Sequence, residues 1–408
     1  MSRDEILDLA ERALRHAGGE AQATAWWERQ LSAGAGGTVT TEAVSVEIAV
    51  LREGRVGTAV TTDVDDDGLA RAAAGAARLA ATGPEAAALP EPAPGRAHDG
   101  YEPVPLDPAG IELPEWSAGR AAAAKTAITS TRGVRAYEER SFGDLRVRRH
   151  APGRSLELTA AAVSAQALDP AALGAEVDAL LGGDAAAVEV TPGEYPVVLG
   201  PWAVAEVLRR AALAFGGPQS PLAGSLGTQV ASPAVNLSES PRFAATLPRS
   251  YDAEGSPRQP LPLIQDGVAH RAAGADTGHA QAPGGVGGYF PEHLVLAGGG
   301  ADGISELAAP VELGLFIPSL SLHGAWVLGR PGTALAEGVR LIRGGEPAEP
   351  APNLTVLFEP LELLARVQAL TGRQRTIPLP APRSARTASA TVAPALRAAG
   401  GVHVAGEA

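Results

Sequence analysis

Cysteine is absent from the 408 residues, lysine occurs once, at Lys125, and Met1 is the sole methionine. Without thiols the chain has no disulfide, no thiolate metal site and no cysteine nucleophile, which suits a reducing compartment. No run approaches the roughly 20 apolar residues of a membrane-spanning helix. The start carries Arg3, Asp4 and Glu5 where a signal peptide needs an apolar core. A cytoplasmic protein with no membrane partner is expected. Positive charge is also scarce: 33 Lys+Arg against 46 Asp+Glu leave a net charge of -13, which repels phosphate backbones and argues against a nucleic-acid partner. The one local cluster, Arg373, Arg375, Arg383 and Arg386, lies in a Pro-rich stretch and reads as a solvated loop.

A length of 408 residues and 45% hydrophobic content can bury two cores. Ser2 and Glu5 form a capping-box signature, and Ile6, Leu9, Ala10, Ala13 and Leu14 follow at helical spacing until Gly18-Gly19. From Thr41 to Thr62 the period becomes two, with Glu53-Gly54 between the arms, which predicts a hairpin. A second helix is predicted from about Gly68 to Ala81, with Asp65, Asp66 and Asp67 at its positive end. The proline-dense residues 82–113 mark a connection without regular structure. Helix-like alanine-rich stretches near 114–128 and 170–181 flank β-like segments near 133–139, 143–149 and 154–162. Beyond Thr191 come a strand at Tyr195–Leu199, a helix at Val204–Phe215, and β-like segments at Val311–Ile317, Ala325–Leu328, Ala336–Ile342 and Leu354–Phe358. The expected fold class is α+β in two domains: an N-terminal α/β domain, residues 1–188, and a β-rich, mostly antiparallel, barrel-like C-terminal domain, residues 189–408.

Chemistry-bearing motifs are few. The closest two of the eight histidines, His270 and His279, are nine residues apart, so no H-E-x-x-H pair exists to place two imidazoles on one helix face. Asp63-x-Asp65-x-Asp67-Gly68 copies half a calcium loop, but Ala74 stands where the closing glutamate belongs; acidic residues at a helix start explain the same letters. The clusters Gly284–Gly288 and Gly298–Gly300 lack the residues of a phosphate or dinucleotide loop and read as turns. Gly224-Ser225-Leu226-Gly227 falls one residue short of a nucleophile elbow.

Several segments, in order, resemble the TldD/PmbA family from about residue 40 to 358. They are Val50–Ala59 in the hairpin, Tyr251-Asp-Ala-Glu-Gly255, Pro262–Val268, Asp276-Thr-Gly-His-Ala280, Glu312–Ile317 and Pro352-Asn-Leu354. The resemblance implies a pairing of homologous subunits, in which the TldD type holds zinc on an H-E-x-x-x-H helix with a distant cysteine and the TldE (PmbA) type lacks that motif. Here the corresponding helix reads Glu206 to Phe215, with Arg209, Arg210 and Ala214 around the motif positions. Guanidinium has no lone pair to give a metal. The resemblance thus implies a zinc-less, TldE-like subunit with no catalytic or metal residue of its own and a TldD-like zinc partner acting on peptides or peptide-like intermediates, for instance in specialised metabolism. Asp252, Glu254, Thr277 and His279 are the candidate polar groups of a cleft or interface, turn capping being the competing reading. The alternatives are a homodimeric scaffold without hydrolytic activity, and an enzyme built from scattered His, Asp and Glu.

Overall fold

The computed structural model describes residues 1–34, 37–86, 88–92, 117–182, 185–217, 220, 222, 224–322, 329–378 and 388–407. Most of the proline-dense connection, the segment Ala325–Leu328, and Arg383 and Arg386 fall outside them.

Helix α1 (Arg3–His16) starts as its sequence dictates: Ser2 accepts from the Glu5 N–H, Glu5 accepts from the Ser2 N–H, and Ile6, Leu7, Leu9, Ala10 and Ala13 are buried. Helix α2 (Asp66–Ala80) is capped by Asp65, which accepts from the Gly68 N–H at 2.7 Å. The acidic run therefore serves the helix start. Gly68 is obligatory there, since a Cβ would lie 2.2 Å from the Asp63 carbonyl oxygen.

Both helices cover one sheet of six strands: β1 (Glu20–Gly34), β2 (Gly37–Arg52), β3 (Arg55–Thr61), β4 (Ser117–Ser130), β5 (Arg135–Ala151) and β6 (Arg154–Ala162), in the order β3-β2-β1-β4-β5-β6 with every pair antiparallel. The β2–β3 hairpin turns at Glu53 and Gly54, both at positive φ. The alanine-rich stretch near 114–128 is not the expected helix. Its described part begins β4, held in register by β1 on one side and β5 on the other; pairing outweighs the helical preference of alanine.

The second sheet is mixed. Its long central strand, Ala390–Glu407, pairs antiparallel with Gly193–Leu199, Val367–Pro378 and Leu354–Phe358 and parallel with Leu294–Leu296. Leu313–Ile317 adds a parallel pair with Gly193–Leu199. Arg373 and Arg375, expected in a loop, sit in the strand Val367–Pro378, and Arg375 pairs with Glu176 at 2.7 Å. The segment Ala336–Ile342 is split between strands Gly332–Glu337 and Arg340–Arg343, with Gly338 at positive φ between them. The chain is α+β, as its sequence suggests, although no strand pair of the first sheet is parallel.

Helix α3 (Pro170–Leu181) packs on β5 and β6, and α4 (Pro201–Ala212) lies against Ala390–Glu407 and Ser319–Leu322. Gly200 leads into α4; a side chain there would strike the Pro318 backbone at 2.8 Å. Leu156 and Leu158 of β6 share a buried cluster with Val177 of α3, Leu208 of α4 and Leu396 of the central strand. The edge of the first sheet is thereby sealed onto the second, and α4 is held where they meet.

Candidate functional site

Between β5–β6, α4 and the strands Ser319–Leu322 and Val367–Pro378 lies a cleft of about 270 Å³. Its floor is the last turn of α4. Glu206, Arg209 and Arg210 come together because residues three and four apart share a helix face. Arg209 donates through Nη1 to Glu206 Oε2 at 2.5 Å and through Nη2 to the Pro378 carbonyl at 2.9 Å, and Arg210 Nη2 stands 3.6 Å from Glu206 Oε1. Burial, opposed by the Glu206 charge, lowers the pKa of Arg209, and neighbouring Arg210 lowers it further. Trp202 fixes the inner wall, its Nε1–H donating to the Thr159 carbonyl at 2.7 Å. On the first-sheet side Asp144 takes two bonds from Arg120, at 2.8 and 3.0 Å, and Glu157 faces Arg146 at 3.3 Å.

A second cluster is fully enclosed. Glu239, His279 and His293 all have 0% exposure. Glu239 Oε1 lies 3.0 Å from His293 Nδ1 and 3.4 Å from His279 Nε2, while Oε2 accepts the N–H groups of Glu292 and His293 at 2.9 and 2.6 Å. Arg258 completes it, 2.6 Å from Glu292 and 3.8 Å from Glu239. Burial alone would raise the Glu239 pKa, but His293 and His279 hold it far below the usual carboxylate range. Burial lowers that of His293 against the pull of Glu239. Among the described residues no group of three or more His, Asp or Glu side chains is arranged to hold a metal ion.

The four residues singled out by sequence lie in and beside this enclosed cluster, and none is among the described residues lining the cleft. Asp252 accepts from the N–H groups of Glu254, Ser256 and Ala280, each at 2.9 Å, and so pins its own turn to the His279 segment. The Thr277 hydroxyl lies 3.0 Å from His279 Nδ1. Glu254 accepts from the Gly285 N–H at 2.9 Å; burial and then the Asp252 charge push its pKa up to about 7. Of the cleft groups, the sequence reading had named Arg209 and Arg210. It missed Glu206 as their partner, which i, i+3 and i, i+4 spacing could have indicated, and had no signal for the distant walls.

Residues 192–406, more than half of the chain, match the family model described as the PmbA/TldA metallopeptidase C-terminal domain. The chain belongs to this TldD/PmbA family of metallopeptidase-like proteins. Among solved structures it is similar to TldE from Thermococcus kodakarensis, at TM-score 0.78 and 17% identity over 98% of this chain and 99% of that one. It is also similar to two proteins described as candidate modulators of DNA gyrase. The one from Thermotoga maritima gives TM-score 0.75 and 21% identity over 99% of each chain. The one from Bacteroides thetaiotaomicron gives 0.74 and 16%, over 99% of this chain and 98% of that one. At such identities these likenesses establish the fold. No curated protein sequence matches the chain.

Proposed function

We propose that this chain is the zinc-less, TldE-like subunit of a heteromeric TldD/TldE-type metallopeptidase, that its residues 1–188 and 189–408 act as two domains, and that its cleft helps to form the site for a peptide substrate. One observation carries the reading. On α4, where the resemblance locates a metal-binding helix in the TldD type, both Glu206 oxygens face guanidinium groups rather than open space. The donor set does not fit zinc: guanidinium offers no lone pair, and the one carboxylate is already neutralised. The enclosed histidines fit no better. The single oxygen Glu239 Oε1 faces both rings, and the Arg258 cation lies 3.8 Å from it. Zinc and the hydrolytic step accordingly belong to a TldD-like partner.

The test is zinc analysis and peptide hydrolysis for the purified chain, alone and mixed with the H-E-x-x-x-H subunit of the same genome. Well under one zinc per chain and no hydrolysis are expected alone, with both appearing in the mixture. Stoichiometric zinc and cleavage by this chain alone would overturn the assignment.

A further inference from the structure

The loop Gln281–Gly288 closes on itself, the Gln281 N–H donating to the Gly288 carbonyl and the Gly288 N–H to that of Gly285, each at 3.1 Å. Gly284, Gly285, Gly287 and Gly288 all take positive φ, a path that glycine follows without strain. Turned in this way, Gly284 and Gly285 aim successive N–H groups at one carboxylate, that of Glu254, the Gly285 bond being 2.9 Å long. On its other side the loop meets the β2–β3 hairpin: Val286 packs against the cluster of Ala49, Val56 and Ala86. Glu254 is thus the polar tie of a loop whose apolar tie is Val286. It is 5% exposed. Asp252 is the charge that acts on it, the Tyr289 hydroxyl faces both carboxylates, and Arg258 acts on Asp252. From β1, Gln22 reaches the same turn through a neutral amide, donating to the Ala253 carbonyl at 2.8 Å. On the hairpin side Val56 and Ala86 adjoin Arg55 and Glu85, which answer each other at 3.5 Å. Among the described residues no cation acts on Glu254. Ionised inside the closed loop, it is a second buried negative charge beside Asp252, with two N–H groups to compensate it.

We infer that the glycine loop Gln281–Gly288 is a proton-gated latch on the β2–β3 hairpin, closed while Glu254 carries a proton and released when that proton passes to solvent. Opening admits water to the carboxylate, which then ionises in the ordinary range for glutamate, near 4.5, whereas in the closed loop burial and Asp252 push it up to about 7. A group that holds its proton more tightly in the closed form favours opening by about tenfold for each unit of rising pH between those two values, and the effect levels off above the higher one. The latch does not depend on the subunit role.

Hydrogen exchange of the purified chain tests this, read by mass on the peptic fragment that carries Gly284–Gly288 and divided at each pH by the rate of the same sequence as a free peptide. Opening of the loop should rise about tenfold or more from about pH 5 to about pH 8. Low concentrations of urea, which promote global unfolding in proportion to the surface it exposes, should speed exchange in α1 and leave the loop's exchange unchanged. Glu254→Gln, neutral throughout, should remove the pH dependence. Val286→Ala trims the apolar tie alone and should raise opening about threefold at every pH while keeping the slope. The wild-type comparison of the loop with α1 stands whether or not either variant folds. A wild-type change below about threefold, a change of opposite sign, loop exchange that follows urea as α1 does, the full slope in Glu254→Gln, or no loosening by Val286→Ala would each overturn the latch.

Discussion

The chain holds two acid–base clusters that differ in what each lacks. The floor of the cleft is reachable, but its nitrogen groups are guanidiniums, which donate hydrogen bonds and accept nothing. The Glu239 cluster has two imidazoles, whose nitrogens can bind protons or metals, but it is sealed from solvent and both rings face one carboxylate oxygen. Imidazole lone pairs sit in the sealed cluster, and among the described residues the reachable cleft has no imidazole. A hydrolytic centre needs both at one point. The proposed assisting role rests on this separation.

Removing the cation from the sealed cluster should have the largest effect. Arg258→Met leaves the buried Glu239 without a guanidinium neighbour and Glu292 with only the longer pair to Arg249, at 3.7 Å, and stability should fall by about 3–5 kcal/mol in a denaturant titration. A loss below about 1 kcal/mol would show that the two clusters do not differ in how much they depend on internal charge pairing. In the cleft the two arginines should separate. Arg209→Met removes a 2.5 Å partner of Glu206 and the clamp on Pro378, for about 2–3 kcal/mol. Arg210→Met removes a looser, more exposed pair, for under about 1 kcal/mol. Equal losses would mean that both arginines hold the end of α4 to the same degree.

How much of this was legible depended on whether the cause was local. The capping box at Ser2 and Glu5 and the turn at Glu53-Gly54 are local, and the expected helix and hairpin formed there. The strand β1 is covered by neighbours along Ala21 to Ala25, all five residues being buried, so the in–out alternation that identifies a strand is missing. Ala390–Glu407 went unread for a related reason: it is rich in alanine and glycine, and its partners lie tens to hundreds of residues away. The same holds for the sites. Arg209 and Arg210 could be read from one helix, whereas Asp144, Glu157 and Ile377 join them only through the sealing of β6 onto α4. His279 drew notice as a polar residue in a motif; Glu239, which gives it a role, is forty residues earlier and unremarkable in sequence.

The sealed region also contains a carboxylate held in a different state, and pH can expose it. Burial and the adjacent Asp252 push Glu254 up to about 7, from 4.5 in an unfolded chain. Between those values the folded protein binds the extra proton, so the stability Glu254 contributes is complete below pH 4.5 and is lost as pH rises through 7. Glu239 and Glu292 are shifted the other way, and their contribution fades only as pH falls below 4.5. His293, also lowered, gains stability as pH rises toward 6.5. Glu254→Gln keeps a neutral side chain at every pH while Asp252 and Tyr289 remain beside it. Relative to this variant the wild-type chain should lose roughly 2–3 kcal/mol between pH 4.5 and 8, read from denaturant midpoints at each pH. The histidine and glutamate terms are common to both proteins and cancel in the difference. Parallel profiles across that range would place Glu254 among the charge-compensated carboxylates, and the sealed region would then hold no group that titrates near neutrality on its account.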